Sequence, residues 1–191
     1  KEMIEAEIQF RKQRQRAAIV AKLNSLVDPE IIEMLYRASQ AGVRIRLNVR
    51  GICCLIPGIP GLSENIEVVS VIDRFLEHAR ILYFRHGGDD RAFISSADWM
   101  PRNLDRRVEL LVPIEDSACR DRLIEILECY FKDRLKGWQL QADGSYERPV
   151  RKSNSLKTSS QEFLYDAALQ RAERNQKKQE ILEPHRAPDA K

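Results

Sequence analysis

The sequence predicts an α/β fold in which a mixed β-sheet is flanked by helices. A β-prone run at residues 17–26, AAIVAKLNSL, is followed by a helix-start signal, with Asp28 as N-cap and Pro29 at the first helical position. Residues 43–50, VRIRLNVR, then alternate apolar and polar side chains without a fault, the pattern of a half-buried strand. Strand, helix and strand with short connections form a βαβ unit, so we expect these two strands to be parallel.

The helix inside this unit has apolar residues at three-four spacing, which predicts one buried face. That face comprises Ile31, Ile32, Leu35 and Ala38. Gly42 follows the helix and suits the left-handed conformation that often ends one. A second helix is predicted over residues 1–14.

Residues 51–65, GICCLIPGIPGLSEN, carry a proline or glycine at each bend and predict an ordered loop. The loop begins at the carboxyl end of a predicted strand. Because open α/β sheets bind their ligands at that edge, we expect the functional site there.

The remainder of the first 150 residues predicts further strands and one long helix. The strands are IEVVSVI (66–72), RILYFRH (80–86), RAFISSA (91–97) and RVELLVPI (107–114), with HGGDD as a turn between the second and third. The helix runs from about Asp116 to Leu135, packs its apolar face on the sheet and is ended by Gly137. WQLQ, residues 138–141, is predicted as the last strand.

The organisation predicted along the chain is an N-terminal helix (1–14), one domain (15–150) and a polar tail (151–191) that is partly helical or disordered. In the tail, EFLYDAALQRAERNQKKQEIL is predicted as one helix and EPHRAPDAK as disordered. The tail also holds the whole excess of positive charge, with nine basic and six acidic residues, whereas residues 1–150 hold 23 of each. A neutral domain gives no long-range electrostatic attraction for nucleic acid, so any anion site must arise from local clustering.

Composition places the chain among soluble globular proteins. Hydrophobic residues make up 43% and charged residues 32%, and no apolar run is long enough to span a membrane. The charged N-terminal stretch does not resemble a signal peptide, which predicts a cytoplasmic location, with a peripheral position at the membrane left open. The four cysteines lack the spacing of zinc ligands and are expected to be free thiols.

Arginines are the first candidate ligands for an anion. Arg50 ends the alternating strand and opens the loop, where its planar fork of donors can bind a phosphate. Arg44 and Arg46 lie on the same strand face and fit better as solvated residues in ion pairs. A second basic group lies between two predicted strands and comprises Arg102, Arg106 and Arg107, with Asn103. These residues could either form a phosphate-binding turn or make surface ion pairs such as Asp105 with Arg106.

His78 is the candidate reactive side chain. A lone histidine is most often a core residue, but Arg74 and Arg80 flank this one. Nearby cations favour a neutral imidazole, which suits a nucleophile or a base. His86, in a turn, and His185, in the tail, lack such neighbours.

Three blocks of the sequence closely resemble the C-terminal catalytic part of bacterial polyphosphate kinases. They are AKLNSLVDPEIIEMLYRASQAGVRIRLNVRGICCLIPGIPGLSENI (21–66), VIDRFLEHARILYF (71–84) and SSADWMPRNLDRRVE (95–109), and the resemblance extends over residues 4–140. The catalytic half of that family consists of two phospholipase-D-like domains, and the resemblance identifies residues 15–150 as the second. It implies reversible transfer of the ATP terminal phosphate to inorganic polyphosphate, with magnesium, through a phosphohistidine.

The resemblance also implies roles for individual residues. Arg50 is similar to the family's nucleotide-contacting arginine, and His78 to a histidine that also contacts ATP. Lys22, with Asn24, is a further candidate for the phosphate lining, as is Arg106. The phosphorylated histidine, the magnesium ligands and an adenine-stacking tyrosine belong to other parts of the family's polypeptide, so this chain alone should not turn over.

The implied partners are ATP or ADP, polyphosphate, the preceding domains of the same polypeptide and a second copy of the full-length enzyme, with no nucleic acid. Two other functions stay open at this point. A phospholipase-D-type phosphodiesterase would have a lysine two positions after the histidine, where this chain has Arg80. An RNA-binding module would expose aromatic residues such as Tyr83 and Phe84 beside the basic strand face.

Overall fold

The centre of the structure, a computed structural model that describes residues 1–150 and 153–180, is one mixed β-sheet of eight strands. The strands are β1 (Ala18–Leu23), β2 (Arg44–Val49), β3 (Ile66–Val71), β4 (Arg80–Phe84), β5 (Arg91–Ser95), β6 (Leu111–Pro113), β7 (Gly137–Leu140) and β8 (Tyr146–Glu147). The helices are α1 (Glu2–Lys12), α2 (Pro29–Gln40), α3 (Pro101–Arg106), α4 (Ser117–Lys132) and α5 (Ser160–Glu180), the side chains of α5 being described as far as Arg174.

The strand order is β6-β5-β4-β1-β2-β3-β7-β8. Strands β1, β2 and β3 are parallel, whereas β4, β5, β6, β7 and β8 each run antiparallel to their neighbours. The α/β class with a mixed, helix-flanked sheet is thus confirmed. As a consequence of these directions, the carboxyl ends of β1, β2, β3 and β5 lie at the same edge of the sheet as the beginning of β4.

The βαβ unit forms as the sequence predicts. The Asp28 carboxylate accepts a hydrogen bond of 2.9 Å from the Ile31 amide, and the helix then buries Leu35 and Ala38 completely. Gly42 ends it with φ +86°, in the left-handed region. Strands β1 and β2 pair in parallel from Ala18↔Arg44 to Leu23↔Val49.

Helices cover both faces of the sheet. On one face, α1 and α2 pack with the inward side chains of β1 and β2 into the main core. On the other face, Leu127 and Phe131 of α4 pack against Val20, Val69 and Ile81. Because α4 covers this second face, Lys22 of β1 and Asn48 of β2, which alternate onto it, are also buried.

The structure corrects the predicted end of the long helix. Helix α4 begins after the N-cap Asp116 but stops at Lys132, before Leu135. The Asp133 carboxylate accepts hydrogen bonds from the amides of Leu135 and Lys136, 2.9 Å each, and so turns the chain out of the helix. Gly137 does not end the helix; it begins β7.

Three shorter elements also bear on the predictions. Residues 101–106, which the sequence places between two strands without predicting a helix, form α3 with Pro101 at its first position. Strand β6 is limited to Leu111–Pro113, and the hairpin partner β8 follows β7, so WQLQ is not the last strand. The loop of residues 51–65 contains no named strand or helix, as predicted.

The terminal helices are attached to the sheet domain. The buried Glu7 of α1 accepts hydrogen bonds from the amides of Ala18 (2.9 Å) and His86 (2.6 Å), and burial raises the pKa of this carboxyl. The start of α5 packs on α4 through Phe163 and Leu164. The predicted disorder of EPHRAPDAK lies outside the described residues. No helix within the described part is both long and apolar enough to cross a bilayer.

Candidate functional site

The candidate site lies at the sheet edge where β1, β2 and β5 end and β4 begins. Four segments meet there: the residues after β1, the Arg50 turn, the loop from Ile72 to Ala79, and the loop after β5. This is the edge that the sequence predicts for ligand binding.

Arg50 is fixed by a neutral partner. Its Nε donates a hydrogen bond of 2.9 Å to Asn24 Oδ1, and its Nη2 donates to the same oxygen. The chain is tightly closed here, because the Gly51 amide is 2.7 Å from the Asn24 carbonyl and a Cβ on Gly51 would lie 2.8 Å from that oxygen. Among the described residues, none pairs with Arg50 Nη1, so that side of the fork can bind an anion.

Arg80 and Asp98 form a buried ion pair beside it. Arg80 Nη2 lies 2.7 Å from Asp98 Oδ2, and the two side chains are only 9% and 6% exposed. Asp98 Oδ1 also accepts hydrogen bonds from the amides of Asn24 (2.7 Å) and Ser25 (3.1 Å). Burial pushes the pKa of Asp98 up, but the hydrogen bonds and the guanidinium outweigh it and hold the pKa below its usual value.

His78 lies in the loop that precedes β4 and is exposed. Its carbonyl accepts a hydrogen bond of 3.0 Å from Arg80 Nη1. Contiguous hydrogen bonds therefore run from the His78 backbone through Arg80, Asp98 and Asn24 to Arg50. The structure thus brings the two principal candidates to one sheet edge. Arg74, the other flanking arginine, lies instead over the ring of Phe75, 5.2 Å from its centroid.

Lys22 lies beneath the site and is 2% exposed. Its Nζ is 3.4 Å from Glu77 Oε2, 3.3 Å from the Ala79 carbonyl and 5.4 Å from the centre of the Tyr130 ring. Burial lowers the pKa of Lys22, Glu77 opposes that shift, and the charges of Arg50 and Arg80 add to it. Lys22 holds the chain on both sides of His78 and is covered by protein, so the geometry favours a positioning role over direct phosphate contact.

The other basic candidates lie outside this group. Arg46 pairs with Glu128 of α4 and stacks over Phe131, while Arg44 is exposed. Arg106 is exposed at the end of α3 and, among the described residues, makes no hydrogen bond or ion pair with the Arg50–His78 group. Asn103 is buried in this segment and donates a hydrogen bond to Glu109.

Sequence reasoning missed two residues of the site, Asp98 and Glu77. Asp98 is the only acidic residue in the SSADWM segment after β5, and Glu77 immediately precedes His78. Acidic residues beside a predicted cationic site are the signal that points to both. Sequence alone does not pair Asp98 with Asn24, because they are 74 positions apart.

The charges of the site do not balance. Asp98 compensates Arg80 and Glu77 compensates Lys22, whereas Arg50 faces the neutral amide of Asn24 and, among the described residues, no acid. Arg50 is therefore an uncompensated guanidinium at this sheet edge, in a domain that is neutral as a whole. Such an arrangement attracts a phosphate anion locally and without a basic outer surface.

A resident metal does not fit the residues at hand. Within the described part of the chain, no three His, Cys, Asp or Glu side chains lie together as a possible metal site. The two carboxylates of the site already accept hydrogen bonds from Arg80, Lys22 and backbone amides.

The basic strand face does not expose aromatic rings. Tyr83 and Phe84, which an RNA-binding surface would present for stacking, are 8% and 3% exposed. This observation disfavours the RNA-binding alternative.

The chain is similar to known polyphosphate kinases over most of its length. The family model for polyphosphate kinase C-terminal domain 2 matches residues 1–161. The curated polyphosphate kinase of Rhodopirellula baltica is 57% identical over 189 residues, which are 98% of this chain and 22% of that protein. The polyphosphate kinase of Pseudomonas aeruginosa is 53% identical over 165 residues, 86% of this chain and 24% of that protein.

Solved structures agree with the fold. The crystal structure of polyphosphate kinase from Porphyromonas gingivalis superposes with a TM-score of 0.85 at 40% identity, covering 90% of this chain and 26% of that one. NUC, a phospholipase D family member from Salmonella typhimurium, superposes with a TM-score of 0.53 at 12% identity, over 73% of this chain and 89% of that one. The second likeness concerns the fold alone. The chain spans about a quarter of the length of the polyphosphate kinases it matches.

Proposed function

Since this chain belongs to the polyphosphate kinase C-terminal domain 2 family, we propose that it supplies phosphate-binding residues to an enzyme that transfers the ATP terminal phosphate reversibly to inorganic polyphosphate. The observation that carries the proposal is the uncompensated Arg50 guanidinium, held by Asn24 at the edge where the His78 loop ends. ATP, ADP and polyphosphate are the substrates that follow from the family.

In this proposal, Arg50 binds phosphate oxygens and stabilises the charge of the transferred group. Phosphoryl transfer depends mainly on positioning and on charge stabilisation, and a guanidinium held by its Nε edge is oriented before the substrate arrives. His78, exposed at the same edge, contacts the nucleotide phosphates. Arg80 and Asp98 keep the carbonyl of residue 78 and the Asn24 amide in place.

The phosphorylated histidine lies in another domain of the polypeptide in this proposal. His78 therefore assists a transfer whose covalent intermediate forms elsewhere. Magnesium would be held by the substrate or by other domains and would supply neutralisation of phosphate charge. The full enzyme is expected to work in the cytoplasm, where ATP is available, and to associate with further copies of itself.

The first test is binding of inorganic polyphosphate and of ATP to the 191-residue chain by calorimetry. Arg50→Ala should weaken polyphosphate binding strongly, whereas Arg44→Ala, an exposed arginine of the same strand, should change it little although the loss of charge is equal. Equal effects of the two substitutions would mean that only net charge matters, and would remove Arg50 from the site.

The second test uses a chimera in which this chain replaces the matching stretch of the Rhodopirellula baltica polyphosphate kinase. Arg50→Ala should reduce polyphosphate synthesis by about a hundredfold, the order expected for one lost charge-stabilising donor. His78→Ala should also abolish turnover. Near-normal rates in both variants would overturn the proposal, as would hydrolysis of a phosphodiester substrate without phosphate transfer.

The same chimera tests the location of the covalent intermediate. Incubated with radiolabelled ATP, the chimera should acquire acid-labile phosphate and the isolated chain should not. Stable labelling of the isolated chain would contradict the placement of the phosphohistidine in another domain.

A further inference from the structure

The first turn of helix α5 forms hydrogen bonds with the loop that carries His78. Gln161, 8% exposed, accepts a hydrogen bond of 2.8 Å from the Phe75 amide through Oε1. Its Nε2 donates to the Phe75 carbonyl and to Glu77 Oε1, each at 2.8 Å. One side chain therefore holds both backbone groups of residue 75 and the carboxylate of residue 77.

Glu77 connects this contact to the sheet. Its second oxygen lies 3.4 Å from Lys22 Nζ of β1, and the same ammonium donates to the Ala79 carbonyl at 3.3 Å. The residues on both sides of His78 are thus fixed by one buried cation. Burial and the charge of Glu77 raise the pKa of Tyr130 far above its usual value, so the neutral phenol stays beside this pair at all ordinary pH values.

Helix α5 is anchored independently of the loop. The Ser160 amide donates a hydrogen bond of 2.7 Å to Asp133 Oδ2 at the end of α4. Phe163 and Leu164 then pack against the small core formed by Val71, Cys129 and Tyr130. The α5 start is therefore a rigid support, fixed to the body of the domain before it reaches the His78 loop.

The loop itself has little other support from apolar packing. Phe75 and Leu76 are 54% and 74% exposed, and His78 is exposed as well. Exposed loops with few buried contacts open readily, and ordering them costs conformational entropy. Polar contacts supply the restraint that packing does not: those of Gln161 and Lys22, together with the Arg80 bond to the His78 carbonyl and the Asp73–Lys136 ion pair.

We propose that Gln161 is a positioning residue, which acts through Phe75 and Glu77 to hold the His78 imidazole at the Arg50 edge. The role of His78 in this inference rests on the proposed function, whereas the restraint on the loop does not. The start of α5 therefore belongs to the site, although a boundary after residue 150 would leave it in the tail.

Hydrogen exchange and NMR of the 191-residue chain test the restraint without reference to activity. In Gln161→Ala, exchange of the Phe75 amide should rise by at least about tenfold, and the His78 imidazole resonance, assigned by its loss in His78→Ala, should move toward the value of an unstructured histidine. Gln170→Ala, an exposed glutamine of the same helix, should change neither. An unchanged Phe75 amide or His78 resonance in Gln161→Ala would overturn the inference.

Gln161→Glu separates this contact from a general effect on folding. It keeps an acceptor for the Phe75 amide, removes the donor to the Phe75 carbonyl and to Glu77, and places two carboxylates together, so the loop should loosen. A loop that stays as ordered as in the native chain, with the fold intact by circular dichroism, would contradict the pairing.

The chimera with the Rhodopirellula baltica enzyme provides the functional readout. Gln161→Ala should lower kcat/KM for ATP by about tenfold, mainly through KM, and the control Gln170→Ala should leave it unchanged. A free loop with unchanged kcat/KM would overturn the positioning role of Gln161. Failure of the proposed function would look different, because His78→Ala and Arg50→Ala would then leave the kinetics unchanged while Gln161→Ala still freed the loop.

Discussion

The Arg80–Asp98 pair offers the most quantitative test of how the site is held together. Asp98→Asn keeps the size of the side chain and one acceptor for the amides of Asn24 and Ser25. It removes the negative charge opposite Arg80, which is 9% exposed. Removing one partner of a buried ion pair leaves an uncompensated charge and costs about 3–5 kcal/mol, so we expect a loss of that size in the free energy of unfolding at pH 7.

The stability that the Arg80–Asp98 pair contributes should decrease as the pH falls. The pKa of Asp98 is lower in the folded protein than its ordinary value of 3.8, so the pair contributes its full stability above that value. The contribution is lost as pH falls through the folded pKa. The difference between the native protein and Asp98→Asn should therefore be largest near neutral pH and should narrow below about pH 4.

Urea unfolding followed by tryptophan fluorescence measures both quantities, because the neighbouring Trp99 is buried. Asp89→Asn is the matched control, since Asp89 forms an exposed pair with Arg91 and should change stability by less than about 1 kcal/mol. A loss below about 1 kcal/mol for Asp98→Asn would refute the reasoning from burial. A difference that stays constant from pH 7 to the acid range would refute the assignment of the charge.

Two further predictions concern the strand-end turn and the thiols. Gly51→Ala should weaken polyphosphate binding, because the new Cβ would lie 2.8 Å from the Asn24 carbonyl oxygen and would displace Asn24, the partner of Arg50. The control is Gly61→Ala, whose Cβ meets no atom within 4 Å and which should reduce stability alone. Equal polyphosphate binding by the two variants would contradict the role of Gly51. Burial raises the pKa of the Cys129 thiol to about 12 and that of the Cys53 thiol to about 11. Iodoacetamide at pH 8 should therefore modify the exposed Cys54 first and Cys129 only on unfolding, which mass spectrometry of the peptides measures. Rapid modification of native Cys129 would contradict its burial.

The parts of the fold that the sequence predicts are those decided by nearby residues. Asp28 and Pro29 start a helix through contacts within one turn, and the alternation of residues 43–50 defines a strand regardless of its neighbours. The end of α4 is not predictable in this way. The helix ends where the Asp133 carboxylate accepts a hydrogen bond from the Leu135 amide in the turn that follows. The same carboxylate accepts a hydrogen bond from the amide of Ser160, 27 positions later.

In the site, too, some residues are predictable from the sequence and others depend on contacts between distant parts of the chain. Arg50 and His78 are indicated by position and by family resemblance, and the structure brings them to one edge. The burial of Lys22 is not predictable from the sequence, because it requires knowing that α4 covers the second face of the sheet. The role inferred for Gln161 depends on contacts 84 and 86 positions apart, which no local pattern reports.

The neutral partner of Arg50 leads to a last prediction. Asn24→Asp changes the size of this side chain very little, but it places a carboxylate against a guanidinium that faces no acid among the described residues. The new ion pair should leave folding intact, while the local excess of positive charge disappears. Polyphosphate affinity should fall by at least about tenfold, because a carboxylate within a few ångströms repels each bound phosphate. Calorimetry with the native chain, Asn24→Asp and Arg50→Ala decides the matter: if Asn24→Asp binds polyphosphate as tightly as the native chain, the uncompensated charge of Arg50 is not what attracts the anion.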